Sequence, residues 1–253
     1  MRKQRGTSAV EMMVVVLVFT LLAGAAFRLL NVSQQRYRME SDVLDSFQAA
    51  QVALDQMARD IHTSGYPPVN SYTPAAAVTQ FTKVACAPFA WSPGYPAADC
   101  TTKAPCTVGA GCTTPNGFDL IVETDFGNGN GVQWIRYQLN GTTLFRGVAA
   151  KQAGADPAVV TQPTLVPYVD NVMNNASAAQ IAQIQKSYPG MFPGGAPVPV
   201  FTYKYDSGQP NTPPNIREVN LTLIVQAQTL DPLTQQPRVV TLTARARRIN
   251  PNQ

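Results

Sequence analysis

The sequence predicts an α+β fold: a long N-terminal helix, transmembrane in its first half, packs on an antiparallel β-sheet head with a disulfide-bonded loop. Three observations lead to this prediction. No proline occurs before Pro67, and no glycine occurs between Ala25 and Ser64. The second half of the chain alternates apolar and polar residues, as half-buried strands do. The four cysteines all fall in one intervening Pro- and Gly-rich stretch.

The helix begins in a segment that is apolar on all sides. Residues 12–27 carry no charge, and residues 7–27 carry only Glu11. As a helix, residues 7–27 would be about 31 Å long, enough to cross a bilayer core. The basic leader Arg2, Lys3 and Arg5 should stay in the cytoplasm, which sends the remainder outward across the membrane.

Three interpretations of this segment compete. The first is a cleaved secretory signal with a small-residue site at Ala23-Gly24-Ala25. The second is an uncleaved anchor, and the third is a prepilin leader that is cut after Gly6. Glu11 separates them, because a carboxylate in an apolar span costs about 2–3 kcal/mol at mid-membrane and neither a plain signal nor a plain anchor needs one.

A short basic leader, glycine at the cut and glutamate at the fifth mature position resemble the type IV pilin family. Here Gly6 precedes the cut, Thr7 is the first mature residue and Glu11 is the fifth. The resemblance implies that prepilin peptidase cleaves between Gly6 and Thr7 and methylates the amine of Thr7. It also implies that Glu11 pairs with the N-terminal amine of a neighbouring subunit during assembly. Most members have Phe where Thr7 stands, and major pilins have a proline where Arg28 stands, so the sequence favours a minor pilin or pseudopilin.

Beyond the apolar span the helical period continues to about Ser64. Its apolar positions are mostly three or four residues apart: Leu29, Val32, Tyr37, Met39, Val43, Leu44, Phe47, Leu54, Met57, Ala58 and Ile61. This spacing predicts one helix over 7–64 whose stripe packs on the head, rather than a coiled coil with a separate partner. Gly65 and Pro67-Pro68 end the helix.

The end of this helix sharpens the resemblance. Residues 49–66 are similar to the helix end of the PilW and GspJ branch of minor pilins and type II secretion pseudopilins. The matching positions are Leu54, Met57, Ala58, Arg59, Asp60, Ile61, Ser64, Gly65 and Tyr66. The implied partners are other minor and major pilins, a prepilin peptidase and an inner-membrane assembly platform, and both a pilus and a type II secretion pseudopilus remain open.

The predicted organisation is a leader (1–6), a helix (7–64), a cysteine-containing loop region (65–117) and a β-rich head (118–253). Cys86, Cys100, Cys106 and Cys112 predict two disulfides in an exported loop. All three connectivities are open, and the sequential one closes the smallest loops. The absence of a Cys-x2-Cys pair argues against zinc. The aromatic residues Tyr72, Phe89, Trp91 and Tyr95 are expected to be exposed and to form a contact surface.

Strand patterns fill the head. They fall at 118–125, 132–139, 142–147, 165–172, 200–205, 218–228 and 238–248, with a short helix at 177–186. Asn140-Gly141 is a hairpin turn. Asp119, Glu123 and Asp125 alternate with apolar residues and predict an exposed strand face. The last two strands predict a hairpin with one wet face.

No catalytic, cofactor-binding or nucleic-acid-binding pattern is found, so we expect no enzyme. His62, the single histidine, is expected to be a solvated residue at the helix end beside Asp60. Without the three basic leader residues, the chain has 16 basic side chains (of 19) against 15 acidic ones. This net charge of +1 is too small to predict electrostatic binding of DNA. Asp125, Asn128 and Asn130 form a weak calcium candidate, but their spacing misses the EF-hand pattern and favours a plain turn.

Overall fold

The computed structural model describes residues 9–66, 87–95, 104–127, 131–152, 154–231 and 236–248. Several residues of the sequence predictions lie outside these ranges. They are Gly6, Thr7, Tyr72, Cys86, Cys100, Asn128 and Asn130.

The described chain begins with one long helix and continues mainly as strands. The helices are α1 (Ala9–His62), α2 (Pro157–Thr161) and α3 (Ala178–Ser187). The strands are β1 (Phe89–Ala90), β2 (Asp119–Asp125), β3 (Val132–Asn140), β4 (Thr143–Ala150), β5 (Val166–Val169), β6 (Phe201–Tyr205), β7 (Ile216–Leu230) and β8 (Pro237–Arg247). Short 3-10 turns occupy Gln162–Thr164, Met173–Asn175, Pro193–Gly195 and Pro213–Asn215.

These elements divide into two compact units. One contains α1 as far as Leu44 together with Ala227–Arg238, and the other contains Asp45–Gln226 together with the chain from Val239 onward. The second unit holds the hydrophobic core described below, so the remaining contacts in this subsection belong to it.

The predicted long helix is confirmed over its described length of 54 residues. The helix ends near the predicted position, just before Gly65. Gly65 adopts a φ of +76°, a left-handed conformation that residues with a side chain rarely take. The amide of Gly65 donates to the carbonyl of Glu123 at 2.8 Å, so the end of α1 is tied directly to β2.

Two antiparallel sheets form the head. The first has five strands in the order β1-β2-β3-β4-β5, and the second has three in the order β6-β7-β8. The predicted hairpin is confirmed, since Asn140 pairs with Thr143 and Gly141 has a φ of +58°. The sheets are joined where Val172 bridges to Val225 and where the Phe201 amide donates to the Gly117 carbonyl at 3.0 Å.

The main core lies between the C-terminal part of α1 and both sheets. The helix contributes Ala50, Ala53, Leu54, Met57 and Ile61, all at most 1% exposed. They pack with residues from one face of β2, β3 and β7, among them Leu120, Val122, Ile135, Tyr137, Val219, Leu221 and Leu223. The period-2 pattern of the strands therefore points one apolar row at the helix.

The predicted helix stripe is only partly buried. Leu29 and Tyr37 are each 75% exposed and Leu44 is 57% exposed, so the prediction is wrong for these residues, whereas Met39 of the same stripe is 3% exposed. The helix residues that join the main core span about three turns, from Ala50 to Ile61. The periodicity itself could not show how far along the helix the head extends.

The C-terminal hairpin also differs from its prediction. A second apolar cluster, which includes Met173, Ile181, Ile184 and Phe192, covers Ile224 of β7 and Val239 of β8. The face of the C-terminal hairpin that was expected to be exposed to solvent is therefore partly buried. Helix α3 is held in this position by a capping box, in which Ser177 and Gln180 satisfy each other's backbone amides.

Replacing Leu54 by Ala should lower the free energy of unfolding by about 2–5 kcal/mol, because it empties a fully buried site between helix and sheets. Val52, two residues away on the same helix and 64% exposed, provides the matched control. Val52→Ala should change stability by less than about 0.5 kcal/mol. Chemical unfolding of the detergent-solubilised chain measures both, and equal losses would contradict this placement of the core.

Candidate functional site

The N-terminal part of α1 is an exposed apolar surface. Its large apolar residues from Val10 to Leu22 are 47–76% exposed on all sides of the helix. Among the described residues, this one helix is long and apolar enough to cross a membrane. Glu11 is exposed in its first turn, where the positive end of the helix dipole favours a carboxylate.

At the other end of α1, four polar side chains fasten the helix to the five-stranded sheet. We call them the Asp60 cluster: Gln56, Asp60, Tyr137 and Arg146. The Tyr137 hydroxyl and the Arg146 guanidinium donate to Oδ2 of Asp60 at 2.6 and 3.1 Å, and Gln56 donates to Oδ1 at 2.7 Å. Arg146 Nε also donates to the Tyr137 oxygen at 3.0 Å.

The Asp60 cluster is deeply buried and fully hydrogen-bonded at its centre. Asp60 is 2% exposed and Tyr137 is 0% exposed. Burial, reinforced by the negative charge of Asp60, raises the pKa of Tyr137, so this hydroxyl remains a donor at any physiological pH. Because an isolated buried carboxylate is costly, Asp60 requires these partners to remain at the helix–sheet contact.

The Asp60 cluster was not predicted from the sequence. The prediction placed Asp60 beside a solvated His62, whereas His62 is half-buried and its Nδ1 lies within hydrogen-bonding distance of the Arg247 carbonyl. A signal was present, since Asp60 falls on the same helix face as Met57 and Ile61. The partners could not be identified from the chain, because Tyr137 and Arg146 face each other only in the β3–β4 register.

A second buried group, the Glu123 cluster, consists of Glu123, Lys151, Tyr95 and Trp134. Lys151 Nζ lies 2.7 Å from Glu123 Oε1, and both side chains are 0% exposed. The Tyr95 hydroxyl and Trp134 Nε1 donate to Oε2 of Glu123, the latter at 2.9 Å. Burial, with a smaller effect of the neighbouring Glu123 charge, raises the pKa of Tyr95.

A third buried pair joins Asp119 and Arg136. Arg136 binds both carboxylate oxygens of Asp119, with Nε at 3.0 Å from Oδ1 and Nη2 at 2.6 Å from Oδ2. It also donates to the Ala158 carbonyl at 2.7 Å, which attaches α2 to the sheet. Burial raises the pKa of Asp119, and Arg136 opposes that shift.

The prediction that Asp119 and Glu123 form an exposed strand face is therefore wrong. Strand β2 is covered on both faces, one by α1 and the other by residues that follow β1, among them Trp91 and Tyr95, and by α2. Asp119 is 6% and Glu123 0% exposed, and each is paired with a cation. Alternation of polar and apolar residues usually indicates a solvated face, but it cannot exclude a second face closed by ion pairs.

The prediction of an exposed aromatic contact surface is also wrong for the three of its four residues that the structure describes. Phe89 and Trp91 are 1% exposed and Tyr95 is 6% exposed. Trp91 packs on Tyr95 with ring centroids 4.8 Å apart, and Tyr95 packs on Trp134 at 5.7 Å. These rings cover the second face of the sheet instead of facing solvent.

The other candidate residues are resolved in part. Cys106 and Cys112 form a disulfide, and Cys86 and Cys100 lie outside the described residues. Asp125 accepts a hydrogen bond from the Gly127 amide at 2.8 Å, as in an Asx turn, while its proposed calcium co-ligands Asn128 and Asn130 are not described. No group of three or more metal-ligating side chains occurs in the part of the chain that the structure describes.

Comparison with protein-family models, with curated proteins and with solved structures finds no match to this chain. Its function must therefore be argued from its own residues. The carboxylates of these clusters are buried, and their immediate effect is structural: the Asp60 cluster fastens α1 to the sheet, while the other two groups join the strands to the loop after β1 and to α2 on its opposite face. The large surface that remains without an apolar environment is the N-terminal part of α1.

Asp60→Asn should lower the free energy of unfolding by about 2–4 kcal/mol, because it leaves the partly buried Arg146 without its counter-charge. Asp55→Asn is the matched control on the same helix, since Asp55 is exposed and accepts only a long hydrogen bond of 3.3 Å from Gln51. It should cost less than about 0.5 kcal/mol. Chemical denaturation measures the free energy of unfolding of both variants. An Asp60→Asn variant as stable as the parent chain would contradict the assigned role of the cluster.

Proposed function

We propose that this chain is a minor pilin of the PilW and GspJ kind. Prepilin peptidase cuts it between Gly6 and Thr7, and α1 then holds it in the inner membrane with the head in the periplasm. From there it enters a type IV pilus at or near the tip and primes assembly together with other minor and major pilins. A pseudopilin of a type II secretion system is the alternative within the same family.

The observation that carries this proposal is the exposure of the N-terminal part of α1. A helix that is apolar all round needs an apolar environment on every side. Each large side chain gains about 1.5–3 kcal/mol on transfer from water. From Ala9 to Phe27 the helix is about 28 Å long, which matches a bilayer core. A filament built from such helices would satisfy the same requirement after extraction.

Glu11 gives this segment a feature that a simple anchor does not need. Its carboxylate lies in the first turn of α1, among exposed apolar residues that continue to Leu22. In a bilayer the first turn can remain near the interface, where the cost of the charge is small. In a packed bundle of helices the same carboxylate needs a positive partner, and the free amine of Thr7 in a neighbouring copy would supply one.

The continuity of α1 supports an assembly role over a cleaved signal. One helix carries both the apolar segment and the residues that are buried in the core of the head, from Ala50 to Ile61. A signal peptide cut at Ala25 would remove the apolar part and leave a truncated helix. An intact helix would instead keep the apolar segment and the core residues of the head in one continuous element.

Edman sequencing or mass spectrometry of the mature protein, made in a host with a prepilin peptidase, should give N-methylated Thr7 as its first residue. Glu11→Ala should be processed equally well but should fail to enter filaments, because it removes the pairing carboxylate and leaves the cleavage site intact. Val14→Ala, an apolar exchange about one turn away on the same helix, is the matched control and should assemble normally.

Two other outcomes would overturn the proposal. A mature protein that begins at Ala26 would identify an ordinary secretory signal, and an intact Met1 would identify a plain anchor. Filament assembly by Glu11→Ala at the level of Val14→Ala would reject the pairing role of Glu11 while leaving the processing result in place.

A further inference from the structure

The Glu123 cluster brings an amine and a carboxyl group into contact away from water. Lys151 Nζ is 2.7 Å from Glu123 Oε1, and neither side chain has any exposed surface. Lys151 follows directly on β4, and its amide donates to the Val132 carbonyl at 2.9 Å, so its backbone is fixed by the sheet. Glu123 lies in the middle of β2, paired with Trp134 of β3. Both reacting groups therefore stand on rigid elements.

The two carboxylate oxygens of Glu123 have different surroundings. Oε1 faces the Lys151 amine, whereas Oε2 accepts hydrogen bonds from the Tyr95 hydroxyl and from Trp134 Nε1. Two donors that converge on one oxygen resemble an oxyanion hole, which stabilises a carboxyl oxygen that gains charge. The surrounding rings of Trp91, Tyr95 and Trp134 exclude water from the same place.

We infer that Lys151 and Glu123 are joined by an amide cross-link that the folded chain forms by itself. A proton first moves from Nζ to Oε1, which leaves a neutral amine and a carboxylic acid. The Nζ lone pair then attacks Cδ, and Oε2 takes up the negative charge under the two donors. When the carbonyl re-forms, the Cδ–Oε1 bond breaks, and Oε1 takes the second proton from Nζ and departs as water. One C–N bond replaces one C–O bond, and no oxidant or cofactor is consumed.

The energetics of the site favour this reaction over a persistent ion pair. Two buried charges lose their hydration, and their mutual attraction often only balances that loss. The amide carries no charge, so its formation removes the penalty. Groups held in contact react with an effective concentration of about 10⁵–10⁸ M, which opposes hydrolysis back to the separate side chains. The cross-link would tie the end of β4 covalently to β2.

Tryptic digestion of the reduced full-length chain tests this directly. A cross-link blocks cleavage after Lys151, so it should yield one branched species made of residues 104–136 and 147–186. Its mass should equal the two peptides together less about 18 Da, the mass of one water. If Lys151 is instead cleaved normally and residues 104–136 are recovered unmodified throughout, the inference is wrong.

The chain contains its own control, because Lys204 and Glu218 also form an ion pair, with 3.0 Å between Nζ and Oε1. The Lys204 side chain is 59% exposed, so water has access to this pair and no cross-link should form there. Joined peptides at both pairs would point to a preparation artefact and count against the inference.

A variant addresses the chemistry of the step. Tyr95→Phe keeps the ring but removes one donor to Oε2, so cross-linking after synthesis should slow by about 100-fold. The rate is read from the branched peptide in samples taken over time. An unchanged rate in Tyr95→Phe would contradict the oxyanion role, and with it the mechanism proposed for this site.

Discussion

The burial of the last turns of α1 is the contact on which the rest of the head depends. Five small or apolar residues between Ala50 and Ile61 pack in one core cluster with residues of both sheets. Small residues such as Ala50 and Ala53 allow the helix to approach closely, and Leu54, Met57 and Ile61 supply most of the buried apolar surface. The apolar faces of both sheets share one cluster with this helix, so removing the helix would expose part of each sheet to water.

Buried ion pairs give this apolar contact its specificity. Asp60 lies at this contact and Asp119 on the opposite face of the five-stranded sheet, and each has a basic partner and further hydrogen bonds. Such pairs add little net stability, since desolvation offsets their attraction. They do penalise misplacement strongly, because a shift of one residue along β3 would separate Tyr137 from Asp60 and leave charges unpaired. The pairs therefore fix the register of the strands and the rotation of α1.

Local patterns made much of the fold predictable from the sequence. The long helix, the Asn140-Gly141 hairpin and the strands near Phe201, Val219 and Leu242 follow from spacing and turn residues, and the structure confirms them. What could not be predicted depends on contacts distant in sequence. The polar row of Asp119 and Glu123 has the pattern of a solvated face, and only the folded chain shows that Tyr95 and α2 close over it.

Helix α1 also shows that a local pattern does not reveal contacts with distant parts of the chain. Its period runs unbroken from Leu29 to Ile61, yet Leu29, Tyr37 and Leu44 are exposed and the helix residues of the main core begin at Ala50. Upstream of this point the exposed apolar residues imply a second environment that a single chain does not provide. One continuous helix therefore has a segment that is buried in the core of the head and a segment whose exposed apolar side chains would need a membrane or other helices to cover them.

Amide hydrogen exchange along α1, measured by mass spectrometry on the full chain in detergent micelles, tests this division most directly. Amides between Ala50 and Ile61 should open only with the head and exchange at least about 100-fold more slowly than those between Leu29 and Tyr37, which lie beyond the span that detergent covers and whose large side chains are exposed. Equal protection across both segments would contradict the account, because it would mean that the head does not hold the end of α1 differently from the rest.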